Sequence, residues 1–327
     1  MQRSDTYAAL VLPGTIYSVT LNPALDESIS IDSLNAGATN RCAYNGLDPG
    51  GKGINASRVI HRLGRGTLAF GLAGGVSGGY LSSALDREGV PHDLETIDGF
   101  TRVNVMFYET FNQERTRLLL PGPAVSRAHV LAIARRLEVV APGEIVIFGG
   151  SLPPGLPTET YAEFIVRLYD RGVRCIIDAS GAALASALEA NPLLVRTNVE
   201  DAEQLLGRRL QTDDAIVDAA CELRARGAHY AVISRGALGA VGTGSEGVFN
   251  VIPPSRQATS AAGAGDSMTA GMAIAFNEGL SFEHALRWGA AAGTATAMMP
   301  GTALCNPRDV YRLIPDVRVE RLSVLRR

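Results

Sequence analysis

The sequence has few residues of the kinds that mark extracellular, metal-binding or membrane proteins. Its four cysteines lie far apart with no Cys-x-x-Cys pair, so we expect neither a disulfide framework nor a zinc site, and a reducing cytoplasm. The five histidines are scattered, and none is predicted as a ligand or a base. The apolar stretch before Pro13 and Gly14 is too short for a secretory signal, and no run is long enough to cross a bilayer. We therefore expect a cytoplasmic protein with no membrane partner.

An excess of charge of one sign is missing too. Lys and Arg total 30 against 33 Asp and Glu, which leaves no positive field for nucleic acid, and no nucleic-acid-reading motif occurs. Lysine itself is nearly absent, because Lys52 in the run PGGKG is the only one. Lysine is a compact charge on a flexible stem, whereas arginine is a bulky fork, so a narrow anion site can require lysine. This favours a functional Lys52 over one retained on a loop by chance.

Aromatic residues are also sparse, at 6%, but the chain is rich in glycine and long enough for a large core. From about residue 67 onward, strand-like apolar runs alternate with amphipathic helical segments. This alternation predicts an α/β fold with an open, mostly parallel sheet flanked by helices, within a single domain spanning residues 1–327. Glycines that follow the helical segments are expected to be left-handed caps: Gly89, Gly172 and Gly227.

Two stretches interrupt the alternation. Residues 28–47 and 100–120 read as strands without a long helix between them. We expect them to form a small antiparallel sheet that acts as a lid or an interface.

Polar residues and glycines cluster where several predicted strands end. Because ligands bind beyond the carboxyl ends of parallel strands, these clusters predict one shared active face. They are Asn22 and Asp26, residues 149–155, Asp178, Asn198, and residues 234–239.

The strongest motif is SAAGAGDSMTAG, at residues 260–271. Gly263 and Gly265 are expected to free the backbone just before a helix whose first turn carries Asp266. Unpaired N–H groups at a helix start suit a phosphate oxyanion, and the helix dipole should keep Asp266 ionised beside it. A base next to an anion hole is what hydroxyl attack on a phosphoryl group needs. An ordinary helix begun by an aspartate is the alternative.

Two other glycine strings argue against a P-loop protein and against a dinucleotide-binding fold. The string Gly46 to Lys52 approaches a Walker A loop, but Gly53 stands where a magnesium-binding hydroxyl is required. We expect a flexible glycine segment there, with Lys52 and Asn55 near a small polar ligand. The GxGxxG string that starts at Gly242 precedes a strand-like run rather than a helix. It predicts a hairpin turn, and hence no NAD-dependent dehydrogenase fold.

Taken together, the motifs resemble those of the PfkB-type sugar kinases, which have the ribokinase-like fold. The likeness covers nearly the whole chain in order, and the hexose-phosphate branch, with the phosphofructokinases and tagatose-6-phosphate kinases, is the most similar. The motifs are TLNPALD (20–26), DPGGKGINASRV (48–59), TRVNV (101–105), GGSLPPGLP (149–157), IIDASG (176–181), SRGALGA (234–240), SAAGAGDS (260–267) and AAGTATAMMPGT (291–302).

The resemblance implies ATP and Mg²⁺ as cofactors, a sugar phosphate as acceptor, and a homodimer formed through the lid. It implies Asp266 as catalytic base, with the N–H groups of Gly263, Ala264 and Gly265 as the anion hole. The other implied residues are Asp26, Gly51, Lys52 and Asn55 for the sugar hydroxyls, Arg102 and Ser151 for the acceptor's phosphate, and Asn198, Ser234, Gly236, Gly239 and Gly293 for ATP.

The sequence departs from the family pattern at one informative place. Where these kinases usually have Lys-Pro-Asn-x-x-Glu, this chain has Arg196-Thr-Asn198-Val-Glu-Asp201. Asp201 keeps the charge that helps order magnesium, but on a shorter arm, so the metal geometry is open.

The identity of the sugar stays open as well. GGKG is typical of fructose-1-phosphate and tagatose-6-phosphate kinases, whereas GTALC and RCIIDASGAALASAL are more similar to the minor 6-phosphofructokinases. We favour 6-phosphofructokinase activity, with 1-phosphofructokinase or tagatose-6-phosphate kinase as alternatives. A free-sugar kinase and a non-catalytic sugar-phosphate sensor are more distant alternatives; the first would not need Arg102 with Lys52, and the second would have lost Asp266 or its glycines.

Overall fold

A computed structural model describes residues 14–323; the expectation that there is no secretory signal concerns residues that include 1–13, which lie outside that range. The described residues form 14 strands and ten α-helices. The strands are β1 Ile16–Thr20, β2 Ala24–Ile31, β3 Ala43–Gly50, β4 Thr67–Gly74, β5 His92–Ile97, β6 Arg102–Glu109, β7 Glu114–Leu118, β8 Ile145–Gly149, β9 Arg174–Asp178, β10 Leu194–Asn198, β11 Tyr230–Ser234, β12 Ala240–Gly244, β13 Gly247–Ile252 and β14 Arg318–Leu322.

The helices are α1 Lys52–Arg62, α2 Gly75–Glu88, α3 Arg127–Arg136, α4 Thr160–Tyr169, α5 Gly181–Leu188, α6 Val199–Leu206, α7 Asp213–Ala225, α8 Ala264–Asn277, α9 Phe282–Ala297 and α10 Pro307–Leu313. The helices α2 and α4 are followed by Gly89 and Gly172, with φ of 72° and 74°, as the capping pattern predicts. Gly227, two residues after α7, also has a positive φ, of 135°. No helix in this part of the chain is long and apolar enough to cross a membrane.

Ten strands form the main sheet, in the order β14-β13-β12-β11-β10-β9-β8-β1-β4-β5. The seven strands from β11 to β5 are parallel, and β12, β13 and β14 extend the edge in antiparallel fashion. This confirms the predicted mostly parallel sheet. Gly244 pairs with Gly247 in the β12–β13 hairpin, so the GxGxxG string is a turn, as expected.

The core lies on both faces of this sheet. In β1, Tyr17 and Val19 pack on one side with α3, α4, α5 and α7, while Ile16 packs on the other with α1, α8, α9 and α10. In α4 the buried side chains include Tyr161, Phe164, Ile165 and Leu168, at the i, i+3, i+4, i+7 spacing of one helix face. Each fully buried large apolar side chain contributes roughly 1.5–3 kcal/mol. This two-sided core holds the strand ends in fixed positions.

The two stretches without helices form a separate four-stranded sheet, in the order β3-β2-β6-β7, which we call the lid. The prediction of an antiparallel lid is wrong at its centre, because β2 and β6 pair in parallel, from Ala24 opposite Arg102 to Ile31 opposite Glu109. The two outer pairs are antiparallel. The lid consists of two hairpins, β2–β3 and β6–β7. The first strand of each hairpin runs away from the main sheet, so β2 and β6 run in the same direction.

Candidate active site

The sheet order places the ends of β1, β8, β9, β10 and β11 side by side. These ends carry Asn22, Ser151, Asp178, Asn198 and Ser234, which the sequence assigns to one face. The lid rises from the same region, because β2 follows β1 and β3 leads into α1. The candidate site is therefore built from strand ends, the lid and the start of α8.

Asp266 lies in the first turn of α8. Gly263 caps this helix with φ of 73°, and a Cβ at Gly263 would come within 2.7 Å of Leu304 Cδ2. Gly265 was expected before the helix but lies inside it, since α8 begins at Ala264. The Ala264 N–H already donates to the Ala261 carbonyl, with N···O of 3.3 Å, and an anion there would have to share it.

A hydrogen-bond relay orients the Asp266 carboxylate. The buried Arg58 donates from Nη1 to Asn55 Oδ1 at 3.2 Å, and Asn55 Nδ2 donates to Asp266 Oδ2 at 2.8 Å. Because arginine can only donate, it fixes the amide so that its NH₂ group faces Asp266. Arg58 is itself held by Glu88. The relay thus keeps Asp266 as an acceptor.

The pKa of Asp266 moves in the direction opposite to that expected from the helix dipole. Burial, followed by the negative charge of Asp178, raises this pKa to about 6. Lys52, the Asn55 hydrogen bond and Arg196 oppose the rise. A carboxylate with a pKa near 6 is ionised at neutral pH yet more basic than an ordinary aspartate, which suits a general base.

Lys52 does not lie on a flexible glycine segment, so that prediction is wrong. It is the first residue of α1, and the glycines around it allow close packing: a Cβ at Gly53 would lie 2.9 Å from the Val19 carbonyl oxygen. Gly51 just before it has φ of 110°, where a side chain would be strained. The run of glycines therefore presses the start of α1 onto the end of β1.

Asp178 lies beneath the start of α8 and forms ion pairs with two basic side chains. It is almost fully buried and accepts hydrogen bonds from Lys52 Nζ at 2.7 Å, Arg196 Nη1 at 3.3 Å and Thr269 Oγ1 at 2.8 Å. Although burial disfavours its charge, Lys52 and Arg196 hold the pKa of Asp178 below its usual value. The same pairing raises the pKa of Lys52 against the effect of burial. Lys52 thus stays charged.

Arg196 connects this cluster to the start of α8 and to β11. Its Nη2 donates to Ser234 Oγ at 2.7 Å, and its guanidinium lies so close to Gly265 that a Cβ there would collide with it. Sequence reasoning placed Asp178 on the active face without a specific role and named Arg196 only as a departure from the family pattern, so their pairing was missed. The available signal was an ionisable side chain within each of two buried strands.

Residues expected around ATP line the neighbouring strand ends. Asn198 caps α6 by accepting from the Asp201 N–H, and its Nδ2 donates to Asp201 Oδ2 at 2.9 Å. A cavity of about 440 Å³ is bordered by Asn198, Ser234 and Gly236, among others. Gly239 has φ of 88°, and a Cβ there would collide with a backbone carbonyl. Gly293 lies in α9 against the start of α8, where a Cβ would be 3.0 Å from the Ala264 carbonyl oxygen.

The described part of the chain offers few protein ligands for a metal. Among residues 14–323, no cluster of three or more acidic, histidine or cysteine side chains is arranged to hold an ion. Magnesium in kinases is usually held by one or two carboxylates together with substrate phosphates. Asp201, beside Asn198, fits the role of such a carboxylate.

A second cavity, of about 430 Å³, opens between the lid and the end of β8 and is bordered by Asn22, Arg102 and Ser151. Arg102 Nη1 and Nη2 donate to the carbonyls of Leu120 and Asn22, at 2.8 and 2.9 Å. Each terminal nitrogen of a guanidinium carries two hydrogens, so both can still donate to a ligand.

The lid also contributes Asp26, which is close enough to Arg102 for their charges to interact. Its Oδ1 accepts from Asn104 Nδ2 at 2.8 Å, and Asn104 Oδ1 accepts from the Leu120 N–H at 3.2 Å. Burial raises the pKa of Asp26, against the effects of Asn104 and Arg102. The site residues thus form hydrogen-bonded groups around Asp266, around Asp178, and around Asp26 with Arg102.

Comparison with known proteins decides the family. The profile described as pfkB family carbohydrate kinase matches residues 19–309. The chain belongs to this family. Among pfkB-family relatives, it is 35% identical over 300 residues to the ATP-dependent 6-phosphofructokinase isozyme 2 of Escherichia coli K12, covering 91% of this chain and 97% of that one. It is 31% identical over 307 residues to the 1-phosphofructokinase of Bacillus subtilis, covering 94% and 100%.

Solved structures of pfkB-family kinases agree. The crystal structure of phosphofructokinase-2 from Escherichia coli in complex with potassium superposes with a TM-score of 0.88 at 34% identity, covering 92% of this chain and 98% of that one. A possible 1-phosphofructokinase from Thermotoga maritima superposes with a TM-score of 0.84 at 26% identity, covering 94% and 100%. The ribokinase-like fold with a small sheet as lid is therefore confirmed.

Proposed function

We propose that this pfkB-family kinase transfers the terminal phosphoryl group of ATP to a hydroxyl of a ketohexose phosphate, with fructose 6-phosphate as the preferred acceptor. The product is a ketohexose 1,6-bisphosphate. The observation that carries this proposal is the oriented Asp266 carboxylate at a helix start near Lys52 and Arg196, together with an arginine-lined cavity beside the lid.

In the proposed reaction, Asp266 accepts the proton of the acceptor hydroxyl. The hydroxyl oxygen bonds to the terminal phosphorus of ATP, and the bond from that phosphorus to the bridging oxygen breaks, so that ADP leaves with the electron pair. The N–H groups at the start of α8, from Gly263 to Gly265, and the charges of Lys52 and Arg196 stabilise the negative charge on the transferred group. Bound Mg²⁺ would neutralise charge on the phosphates, and Asp201 is the carboxylate that would help to hold it.

Asp266 would lie between the two bound substrates. The sugar hydroxyls bind Asp26, Gly51, Lys52 and Asn55, and the acceptor's phosphate binds Arg102 and Ser151. The residues proposed for ATP are Asn198, Ser234, Gly236, Gly239 and Gly293.

Fructose 1-phosphate and tagatose 6-phosphate remain the alternative acceptors. The relatives include both 6-phosphofructokinases and 1-phosphofructokinases, and a phosphate at either end of a ketohexose could occupy the Arg102 cavity. A kinase of a free sugar would have no phosphate for the arginine in that cavity to bind. A sensor without catalysis would have no use for an Asp266 of raised pKa.

Replacing Arg102 tests the proposed acceptor. We expect Arg102→Leu to raise the KM for the ketohexose phosphate by about a hundredfold, because hydrogen bonds between charged groups contribute roughly 1.5–3 kcal/mol each. The KM for ATP and the slow turnover of unphosphorylated fructose should stay within threefold of the wild-type values, as measured by coupled ADP release. Arg117→Ala, on the lid strand β7, is the matched control. An unchanged KM for the phosphorylated sugar would contradict the assignment.

We also propose that the protein is a cytoplasmic homodimer formed through the lid. All four cysteines are free thiols, and the lid exposes apolar side chains, including Tyr44 at 64% and Phe111 at 82% exposure. Burying such side chains between two copies would remove them from water. We expect sedimentation equilibrium to give twice the 34.4 kDa chain mass, and Phe111→Glu to shift it toward one. A wild-type monomer at micromolar concentration would contradict the proposal.

A further inference from the structure

Asn22 forms hydrogen bonds with three residues that border the Arg102 cavity, although sequence reasoning gave it no specific role. It follows β1, is 3% exposed, and its Nδ2 donates to the Pro121 carbonyl at 2.9 Å and to Ser151 Oγ at 3.1 Å. Its own backbone carbonyl accepts from Arg102 Nη2 at 2.9 Å. One buried residue therefore links the lid arginine, the loop after β7 and the loop after β8.

The orientation of the Asn22 amide follows from these partners. The Pro121 carbonyl can only accept, so the NH₂ group of Asn22 must face it rather than the amide oxygen. The second hydrogen of that NH₂ group goes to Ser151 Oγ. Because the Ser151 oxygen accepts this bond, the hydroxyl's own hydrogen is left to donate elsewhere, and Ser151 borders the cavity.

This orientation leaves the amide oxygen in an unfavourable place. Within residues 14–323, Asn22 Oδ1 is one of the few buried side-chain atoms without a hydrogen-bond partner. It faces Gly122, whose φ is 85° and where a Cβ would collide with Oδ1. A buried polar atom left unpaired calls for an explanation, and the use of both amide hydrogens at the cavity supplies one.

We propose that Asn22 is a positioning residue for acceptor recognition: its side chain turns the Ser151 hydroxyl hydrogen toward the phosphate of the sugar, and its backbone carbonyl holds the Arg102 guanidinium beside it. The inference rests on the proposed function, in which Arg102 and Ser151 bind that phosphate. Asn22 itself does not touch the phosphate; it acts through the two groups that do.

A double-mutant cycle tests this inference. We expect Asn22→Ala and Ser151→Ala each to raise the KM for the ketohexose phosphate about tenfold, the size of one lost hydrogen bond to a charged group. The double variant should show about the same tenfold rise rather than a hundredfold one, because the Asn22 side chain acts through Ser151, while the backbone carbonyl that holds Arg102 is kept in every variant. The KM for ATP and kcat/KM for unphosphorylated fructose should not change. Asn22→Asp is the second variant. The aspartate keeps the shape of the side chain but can only accept hydrogen bonds, so the Ser151 hydroxyl would donate to it rather than to the phosphate. The KM for the ketohexose phosphate should therefore rise further.

The outcomes separate this inference from the proposed function. Turnover of a ketohexose phosphate by the wild-type protein, with the KM of folded Asn22→Ala and Asn22→Asp within twofold of its value, would overturn the positioning role alone. A hundredfold rise in the double variant would overturn it too, since the two residues would then act independently. Thermal unfolding of each variant establishes the temperature below which the kinetics are measured. A wild-type protein that turns over no ketohexose phosphate would overturn the proposed function and this inference together.

Discussion

Asp266→Asn is expected to lower kcat by about a thousandfold, the range typical of a lost general base. The asparagine keeps the shape of the side chain and can still accept the Asn55 hydrogen bond, so the start of α8 should remain in place. The KM values for ATP and the sugar phosphate should stay within about threefold, because the anion hole and the Arg102 cavity are untouched. Single-turnover phosphoryl transfer, measured by quenched flow with labelled ATP, would report the chemical step directly.

The control for this variant is Asp86→Asn, a carboxylate in α2 whose side chain is 72% exposed. It should leave kcat unchanged. If Asp266→Asn kept kcat within tenfold of wild type, another group would have to accept the proton, and the base assignment would fail. A large rise in both KM values would instead indicate that Asp266 holds the site together.

Lys52→Ala should lower kcat/KM for the acceptor by about a hundredfold, as removal of one donor to a developing oxyanion does. Lys52 is charged, pairs with Asp178 and lies near Asp266. Its loss removes a positive charge from the phosphoryl-transfer region. The variant should fold, because Arg196 and Thr269 still donate to Asp178.

The same variant should change the pH profile in a definite direction. Burial and Asp178 raise the pKa of Asp266 to about 6, and Lys52 opposes that rise. Because the base works only when it is ionised, wild-type kcat/KM should fall as the pH drops through about 6. Without Lys52 the pKa of Asp266 rises further, so the acid limb should move to higher pH.

Arg65→Ala, which removes a half-exposed cation paired with Glu278 far from this cluster, is the matched control and should leave both kcat/KM and the acid limb unchanged. An acid limb in Lys52→Ala that coincides with the wild-type one would show that Lys52 and Asp266 are not electrostatically coupled.

The α/β fold could be predicted from sequence because its signals are local. Parallel strands buried on both faces read as continuous apolar runs, and α4 shows one apolar face at helical spacing. The parallel pairing of β2 with β6 could not be predicted this way. Those strands lie more than 70 residues apart, and nothing in either segment records the direction from which its partner arrives.

The same contrast between local signals and long-range contacts applies to the candidate site. Asp266 could be predicted because a glycine cap, a helix start and a carboxylate lie within a few consecutive residues. The pairing of Asp178 with both Lys52 and Arg196 joins residues from three distant segments, and only the sheet order brings them together. The pKa of Asp266 is raised mainly by burial and then by the charge of Asp178, neither of which can be read from the local sequence, and this is why the helix dipole alone suggested the wrong direction.

The most direct test of phosphoryl transfer to a sugar phosphate is a comparison of acceptors with the purified protein. ADP release from Mg-ATP would be measured with fructose 6-phosphate, fructose 1-phosphate, tagatose 6-phosphate and unphosphorylated fructose. We expect fructose 6-phosphate to give the highest kcat/KM, and unphosphorylated fructose a value at least about a hundredfold lower, given the loss of the charged contacts to Arg102. Preference for free fructose, or no ADP release with any of the three phosphates, would contradict the account.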